Sequence, residues 1–291
     1  MFITGGQVLQ LIFGAMQMTE LSVIVVERKL IYSTALRRYV TVEFYLPKNI
    51  SNPSELSLLL INDGQDLPKM QFGNMLNELL EANKILPVLC VGIYAGAKRM
   101  LEYGTANVLD FKSRGSRAAA YSSFIIDKLI PYIHSEYCIE SFLNCSVAGF
   151  SLGGLTAIDM AWNHPEKFSI AGVFSGSLWW RTKDLDDGYD EETDRIMHRQ
   201  VKEGNSRPGQ RFYFTTGSLD ETADRNGNGI IDSIDDTTDL VKNLKDQGIP
   251  DKDIVYINYE DGKHDVETWG RAMPHFLQWG WGRKEKLPIL I

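Results

Sequence analysis

The spacing of hydrophobic and polar residues changes period several times along the first half of the chain. Two runs rich in β-branched and aromatic residues, 21–31 and 38–46, predict a leading antiparallel pair of strands. The run Ser57–Asn62 is apolar at nearly every position, as expected of a strand that is covered on both faces. After a helical stretch, a second buried strand is predicted over 85–94. Strand and helix therefore begin to alternate.

The second half of the chain continues this alternation. The predicted elements follow in the order helix 118–137, strand 146–150 with a helix directly after it, strand 168–174, strand 211–216, helix 236–247, strand 254–260 and helix 266–281. Such alternation is typical of an α/β fold with a mostly parallel central sheet, right-handed crossovers and helices on both faces.

No internal repeat or low-complexity linker marks a domain boundary. We therefore expect an N-terminal tail over 1–20 and one domain over 21–291. The segment 181–210 is the most polar part of the chain and predicts one solvated helix over 191–203. That helix either lies over the functional site as a partial cap or belongs to a plain surface excursion.

Composition narrows the range of partners. The 291 residues include 30 Lys and Arg against 38 Asp and Glu, a net charge of −8, and no basic cluster, which argues against nucleic acid. Three cysteines without CxxC spacing predict neither a disulfide framework nor a zinc site. The short apolar patch near the N-terminus has no preceding Lys or Arg and is too short to span a bilayer. We therefore expect no membrane association and a cytoplasmic protein, and the oligomeric state stays open.

The stretch 145–163 contains the strongest chemical signal. Small and β-prone residues lead into Gly149-Phe150-Ser151-Leu152-Gly153, and a helix-favouring segment follows. A serine on such a strand–turn–helix junction has a strained backbone and an exposed hydroxyl, and the glycines two residues before and after it allow strand and helix to approach. Ser151 is therefore the candidate nucleophile.

A serine nucleophile requires a base and a group that orients the base. Four of the five histidines lie where packing, capping or surface roles are expected, namely His134, His164, His198 and His275. His264 instead follows the last predicted strand, at the carboxyl edge where α/β sites collect. Asp220, after the preceding strand, is the candidate acid, with Glu221 as the alternative.

Two further groups would complete such a site. The backbone N–H groups of Gln65 and Leu152 are candidate oxyanion donors, since one follows an early strand and the other begins a helix. Trp179 and Trp180 follow the strand 168–174 and are candidate substrate-binding residues, although aromatic pairs at strand ends also occur in cores. Arg99 and Glu102, taken by themselves, predict a surface ion pair.

At this point the chain resembles the putative-esterase family of α/β hydrolases, which includes esterase D-like enzymes, feruloyl esterases and enterochelin esterases. The matching segments occur in the family's order over about 21–281: Asp63-Gly64, Arg99-x-x-Glu102-Tyr103, Phe124-Ile-x-x-x-Leu-Ile-Pro131, Ala148-Gly-Phe-Ser151-Leu-Gly-Gly154, His164-Pro-Glu-x-Phe168, Ser175-Gly-Ser-x-Trp-Trp180, Gly217-x-x-Asp220 and Gly262-x-His264-Asp265-x-x-x-Trp269. The resemblance implies hydrolysis of a small-molecule carboxylic ester through a serine triad and an acyl-enzyme, with no cofactor in the chemistry.

The segment 224–235 departs from that family pattern. Its sequence fits Asp-x-Asn-x-Asn-Gly-x-Ile-Asp, a spacing that wraps one hard cation. The candidate calcium ligands are Asp224, Asn226, Asn228, the carbonyl of Ile230, Asp232 and Asp235. The alternative is an acidic surface turn rich in Asn and Gly. A structural Ca²⁺ here would order the segment that carries the candidate acid, and such loops fill more readily outside the cytoplasm.

Three functional hypotheses remain at the level of sequence. The first is a serine esterase that uses Ser151, His264 and Asp220. The second is an acyltransferase, because mycolyltransferase-like relatives resolve the acyl-enzyme with another alcohol instead of water. The third is a non-catalytic, calcium-dependent binding module, which has no need for all three of these residues.

Overall fold

One sheet runs through the described part of this computed structural model, which comprises residues 18–48, 50 and 52–283. Its strands are β1 (Met18–Glu20), β2 (Ile24–Ser33), β3 (Arg38–Pro47), β4 (Ser57–Asn62), β5 (Val88–Ile93), β6 (Cys145–Phe150), β7 (Ile170–Phe174), β8 (Arg211–Leu219) and β9 (Ile254–Lys263). The α-helices are α1 (Phe72–Glu81), α2 (Arg99–Glu102), α3 (Ala118–Ser123), α4 (Ile130–Glu136), α5 (Leu152–Asn163), α6 (Glu191–Asp194), α7 (Ile196–Glu203), α8 (Asp232–Asp246) and α9 (Val266–Trp281).

The strand order is β1-β2-β3-β5-β4-β6-β7-β8-β9. Pairs from β1 to β3, and the β3–β5 pair, are antiparallel, and every pair from β5–β4 to β8–β9 is parallel. The α/β class with a mostly parallel sheet is therefore confirmed. Because β4 and β6 are neighbours, the loops at their carboxyl ends lie side by side.

Helices cover both faces of the sheet, as the alternation of elements predicts. Phe72 of α1 and Phe276 of α9 belong to the core on one face. Ile133 of α4, Ile158 of α5 and Leu240 of α8 belong to the core on the other. Within the described ranges, no helix has the length and apolarity needed to cross a lipid bilayer.

The N-terminal boundary of the sheet differs from the sequence-based expectation. Met18–Glu20 form β1 and pair with residues 25–27 of β2, although the sequence predicts a tail over 1–20. Residues 1–17 and the last eight positions of the range 21–291 lie outside the described residues. The sheet therefore gains an edge strand that is too short to be recognised from periodicity.

The polar segment 181–210 does not contain the single solvated helix predicted over 191–203, but the two shorter helices α6 and α7. In α7 the side chains of Ile196, Met197, His198 and Val201 are buried. Arg195, just before this helix, is 2% exposed and pairs with Asp236 of α8 at 2.8 Å. The expectation was wrong because charges counted as solvent-facing are neutralised by partners from a distant element. None of the described residues 181–210 lines the cavity of the site described next.

Candidate active site

Ser151 occupies the sharp turn between β6 and α5. Its backbone has φ 54° and ψ −121°, a region that residues with a Cβ rarely adopt. The Ser151 N–H donates to the Phe174 carbonyl on β7 at 2.8 Å, which holds the turn against the neighbouring strand. The strained strand–turn–helix junction expected from the sequence is therefore present.

Gly149 and Gly153 make this turn sterically possible. A Cβ on Gly149 would lie 2.4 Å from the Gly153 carbonyl oxygen, and a Cβ on Gly153 would lie 2.5 Å from Oδ2 of Asp63. Both distances are far shorter than van der Waals contact. Any larger residue would push β6, α5 or the loop after β4 out of place.

Ser151, His264 and Asp220 come from three different loops and line the same cavity. The cavity has a volume of about 270 Å³. Its remaining lining residues are Ser175, Gly176, Ser177, Trp179, Glu221 and Ser233. The three residues that sequence reasoning proposed for catalysis thus converge, although they are up to 113 positions apart in the chain.

The Asp220 carboxylate faces the imidazole of His264. Nδ1 of His264 lies 4.0 Å from Oδ1 of Asp220, whose side chain is 0% exposed. Oδ2 accepts the Gly217 N–H at 3.0 Å, whereas Oδ1 is buried and has no hydrogen-bond partner in the described part of the chain. Glu221, the alternative acid, makes no ion pair with His264 in that same part. The open acceptor of Asp220 is therefore available to His264.

Burial shifts the pKa values of both groups in the direction that favours the neutral form of each. It raises the pKa of Asp220 above the ordinary value, against the lowering effect of the Gly217 N–H and the Ser175 hydroxyl. It lowers the pKa of His264 below the ordinary value, although the Asp220 charge acts in the opposite direction. Arg99 lowers the His264 pKa as well. A neutral imidazole at neutral pH is the form that can accept a proton.

Trp269 packs against the imidazole of His264. The His264 and Trp269 rings meet edge to face with centroids 5.3 Å apart, and Trp269 stacks on Phe150 at 5.1 Å. The indole Nε1 donates to Oγ of Ser175 at 3.1 Å, which fixes the ring plane. Sequence reasoning gave Trp269 no role of its own. Its position in the first turn of α9, directly after the His264 loop, was the available signal.

Ser177 is a second group that sequence reasoning did not assign to the site. Its Oγ lies 3.3 Å from Oγ of Ser151, and its N–H donates to the Ser151 carbonyl at 3.1 Å. Ser177 follows β7, the strand next to β6, so its place at the carboxyl edge of the sheet was the signal. In this conformation the Ser151 hydroxyl is paired with Ser177 and not with His264.

The two candidate oxyanion donors lie at adjacent loops. Leu152 is the first residue of α5, and Gln65 lies in a short 3-10 helix, Gly64–Asp66, directly after β4. N–H groups in the first turn of a helix have no partner within that helix. The Gln65 side chain fixes its loop, because Oε1 accepts the Ala95 N–H at 3.0 Å and Nε2 donates to Asp63 at 3.1 Å.

The two candidate substrate-binding tryptophans have different surroundings. Trp179 lines the cavity. Trp180 is 0% exposed and does not line it, and a Cβ on Gly104 would lie 2.7 Å from the Trp180 ring. Its assignment to substrate binding was therefore wrong, because its ring fills the core beneath Gly104. Only the packing of the folded chain distinguishes these neighbouring residues.

Arg99 and Glu102 do not form the surface ion pair predicted from their spacing. The Arg99 guanidinium binds both carboxylate oxygens of Asp63 at 2.7 Å. Glu102 is fully buried and accepts from Arg38 at 2.6 Å and from Arg117 at 3.4 Å. The predicted surface pair was wrong because Glu102 is buried, and its charge is neutralised by two arginines that the fold brings to it.

The loop with calcium-type spacing is folded around Asp224. Oδ1 of Asp224 accepts the N–H groups of Gly227 at 2.8 Å and Asn228 at 3.1 Å, and Oδ2 accepts that of Gly229 at 2.9 Å. Gly229, at the sixth loop position, has φ +87°, as the sharp turn of such loops requires. The Ile230 N–H donates to the Asn228 side chain at 2.7 Å.

The other candidate ligands of this loop face one another in part. Oδ2 of Asp235 accepts from the side-chain amides of Asn226 at 3.1 Å and Asn228 at 2.6 Å. Asp232 accepts the Arg225 N–H at 2.9 Å. Among the described residues, no three His, Cys, Asp or Glu side chains are grouped closely enough to hold a metal ion. The donor set fits a hard cation only if Asn and carbonyl oxygens contribute, which is the chemistry of such loops.

Comparison with known proteins gives a family match over most of the chain. The family model described as Putative esterase matches residues 33–279. Protein YjcH of Bacillus subtilis (strain 168), which is described as uncharacterized, is 23% identical over 247 residues, which is 84% of this chain and 92% of that protein.

Solved structures share the fold at low identity. Enterobactin esterase FES from Shigella flexneri matches 90% of this chain with a TM-score of 0.65 and 20% identity, and the match spans 60% of that protein. An IroE-like serine hydrolase from Shewanella oneidensis matches 87% of this chain and 80% of its own length, with a TM-score of 0.66 and 19% identity.

Proposed function

The chain belongs to the putative-esterase family of α/β hydrolases and is an esterase, and from this premise we propose that it hydrolyses small carboxylic esters through Ser151, His264 and Asp220. The observation that carries the proposal is the convergence of these three residues on one cavity at the carboxyl edge of the sheet. The open acceptor on the buried Asp220 carboxylate and its 4.0 Å approach to His264 support the order of the triad.

Acylation begins when the Ser151 hydroxyl turns from Ser177 toward Nε2 of His264. His264 takes the proton as Oγ attacks the ester carbonyl carbon, and the N–H groups of Gln65 and Leu152 stabilise the resulting oxyanion. In the reacting complex the 4.0 Å separation between Nδ1 and Oδ1 of Asp220 shortens, and Asp220 accepts a hydrogen bond from Nδ1 that fixes the tautomer and stabilises the imidazolium. The tetrahedral intermediate then collapses, and His264 returns its proton to the departing alkoxide, leaving an acyl-enzyme.

Deacylation repeats these steps with water as the nucleophile. His264 removes a proton from the water, which attacks the acyl carbon. The second tetrahedral intermediate then collapses as His264 returns this proton to Oγ of Ser151, which releases the carboxylic acid and restores the free serine. Trp179, on the cavity wall, offers an aromatic surface to the substrate. In acyl transfer, another alcohol would take the place of this water.

We also propose that the loop 224–235 binds one Ca²⁺, with a structural role. Asp224, Asp235 and the Asn oxygens would hold the ion, and Asp232 would contribute through a water molecule, as is common at the ninth loop position. A bound ion would contribute positive charge that draws the loop oxygens together. The loop begins four residues after Asp220, so its order bears on the proposed acid.

The test of the proposed site uses a fluorophosphonate probe and a panel of 4-nitrophenyl esters. We expect the wild-type protein to be labelled once and to hydrolyse short esters, and Ser151→Ala to lose both properties. Ser218→Ala, on the same edge of the sheet but outside the cavity lining, is the matched control. Full esterase activity in folded Ser151→Ala would reject this assignment, and absence of labelling in folded wild-type protein would favour a binding module.

A further inference from the structure

One wall of the cavity beside Ser151 contains two polar atoms that have no partner. Oε1 of Glu221 and Oγ of Ser233 are buried, and neither atom has a hydrogen-bond partner among the described residues. The two residues are neighbours, because the backbone N–H of Ser233 faces the Glu221 carboxylate and acts to lower its pKa, against the larger effect of burial. The whole Ser233 residue is only 9% exposed, and both residues line the cavity. Buried polar atoms in native proteins are normally hydrogen-bonded, so two unpaired atoms at one cavity indicate a partner that is absent from the chain itself.

The other polar groups of the cavity are already committed. Ser175 accepts the Trp269 N–H at 3.1 Å, and Ser177 lies 3.3 Å from the proposed nucleophile. The free oxygen of Asp220 faces His264. The Glu221 and Ser233 oxygens therefore remain for a group that enters the cavity from outside.

We propose that Glu221 and Ser233 form a subsite for a free hydroxyl group on the ester substrate, a proposal that rests on the esterase function given above. A hydroxyl donates to a carboxylate oxygen and at the same time accepts from a serine hydroxyl, so it can pair with both the Glu221 and the Ser233 oxygen. An alkyl group satisfies neither, and an ammonium group can only donate. The substrate class is an ester that has a hydroxyl on either its acyl or its alcohol part.

The subsite is tied to the proposed catalytic residues by the chain itself. Glu221 directly follows Asp220, and Ser233 lies in the first turn of α8. The Asp232 N–H donates to the Ala223 carbonyl at 2.8 Å, which joins the start of α8 to the segment that carries Glu221. A hydroxyl held here would fix the position of the ester relative to Ser151.

The test compares kcat/KM for two matched substrate pairs. 4-Nitrophenyl 3-hydroxybutyrate against 4-nitrophenyl butyrate reports a hydroxyl on the acyl side, and glycerol monobutyrate against propyl butyrate reports one on the alcohol side. We expect the wild-type protein to favour the hydroxylated member of one pair by at least about tenfold, because a site built to bind a hydroxyl discriminates against its absence. Glu221→Gln should lower that preference by about tenfold and Ser233→Ala by about threefold.

Thr222→Ala is the matched control, since this exposed neighbour of Glu221 does not line the cavity, and it should retain the preference. Equal losses on both members of a pair in Glu221→Gln and in Ser233→Ala would overturn the subsite. So would a preference of the wild-type protein for 4-nitrophenyl 3-aminobutyrate over the hydroxy ester. Hydrolysis of all four esters without preference would overturn the subsite alone, whereas hydrolysis of none would overturn the proposed function as well.

Discussion

Single residues at the site are held in states that an exposed chain would not favour. Ser151 has a positive φ, and Asp220 is buried with one oxygen open. Burial lowers the pKa of His264, which favours its neutral form, whereas the Asp220 charge raises this pKa. The behaviour of His264 therefore depends on the balance between desolvation and one nearby carboxylate, and this balance can be measured.

We expect kcat/KM to rise with pH along an acidic limb whose midpoint lies below 6.5, the ordinary value for His264, because burial lowers its pKa and only the neutral imidazole accepts the Ser151 proton. Asp220→Asn removes the charge that raises this pKa, so the midpoint should move lower still. The same variant should lose about 10⁴-fold in kcat, because the imidazole loses the acceptor that fixes its tautomer. A limb that moves to higher pH in Asp220→Asn would contradict this assignment.

A second prediction concerns the glycine before the turn. Gly149→Ala places a Cβ 2.4 Å from the Gly153 carbonyl oxygen, so the backbone must shift. We expect the free energy of unfolding to fall by about 2–4 kcal/mol, measured by urea denaturation. Gly280→Ala is the control, since its Cβ would lie 3.9 Å from Ile170. Equal stability of the two variants would show that the turn is not sterically closed.

At the scale of elements, buried charges join α7 and the loop before α8 to α8 itself. Asp236 accepts from Arg195 at 2.8 Å and from Arg225 at 3.1 Å, and its carbonyl lies 2.8 Å from Nε2 of His198. Burial lowers the pKa of His198 to about 3, so this histidine is neutral and adds no charge to the cluster. Asp236 is therefore the carboxylate shared by two buried arginines.

Asp236→Asn keeps the shape of this side chain and removes its charge. We expect a loss of about 3–5 kcal/mol in the free energy of unfolding, because two buried guanidinium groups lose their common partner. Asp261→Asn is the control, since Asp261 and its partner Arg271 are 74% and 42% exposed, and it should cause no measurable change in stability. A neutral effect of Asp236→Asn in chemical denaturation would show that the arginines find other partners.

The loop 224–235 gives the second prediction at this scale. If it binds Ca²⁺, free calcium at about one hundred times Kd should raise the free energy of unfolding by about 2.7 kcal/mol. Chelation should lower the melting temperature and the esterase activity together, and Asp224→Asn should abolish the response to calcium. Magnesium is the control, because its octahedral preference suits such loops less well. An unchanged melting temperature in excess chelator, with no metal in the purified protein, would exclude the ion.

At the scale of the whole molecule, the site lies at the ends of central strands, and the burial of the sheet decreases toward the edge formed by β1 and β2. Every residue of β4 and β7 is buried, whereas β2 near the edge has largely half-buried residues and all three residues of β1 are exposed. We expect hydrogen exchange by mass spectrometry to be slowest in β4, β6 and β7 and fastest in β1, because opening of the centre requires global unfolding. Equal exchange across the sheet would contradict this gradient.

Much of this architecture follows from local pattern. Ser57–Asn62 and Val266–Trp281 were predicted to the residue, because a continuous apolar run and a 3.6-residue period are recorded in the sequence itself. Ser151 was recognisable because the junction requires glycines at fixed spacing. His264 and Asp220 could be chosen from their places after predicted strands, since parallel strands bring their carboxyl ends to one edge.

The sequence by itself determined the fold class, the family and the three residues proposed for catalysis. Only the tertiary structure decided that Trp180 fills the core while Trp179 faces the cavity, that Arg99 binds Asp63, and that the Glu221 and Ser233 oxygens are left without partners. The physical reason is that periodicity and spacing report contacts between near neighbours. Burial of a charge or a ring depends instead on packing against elements tens of residues away.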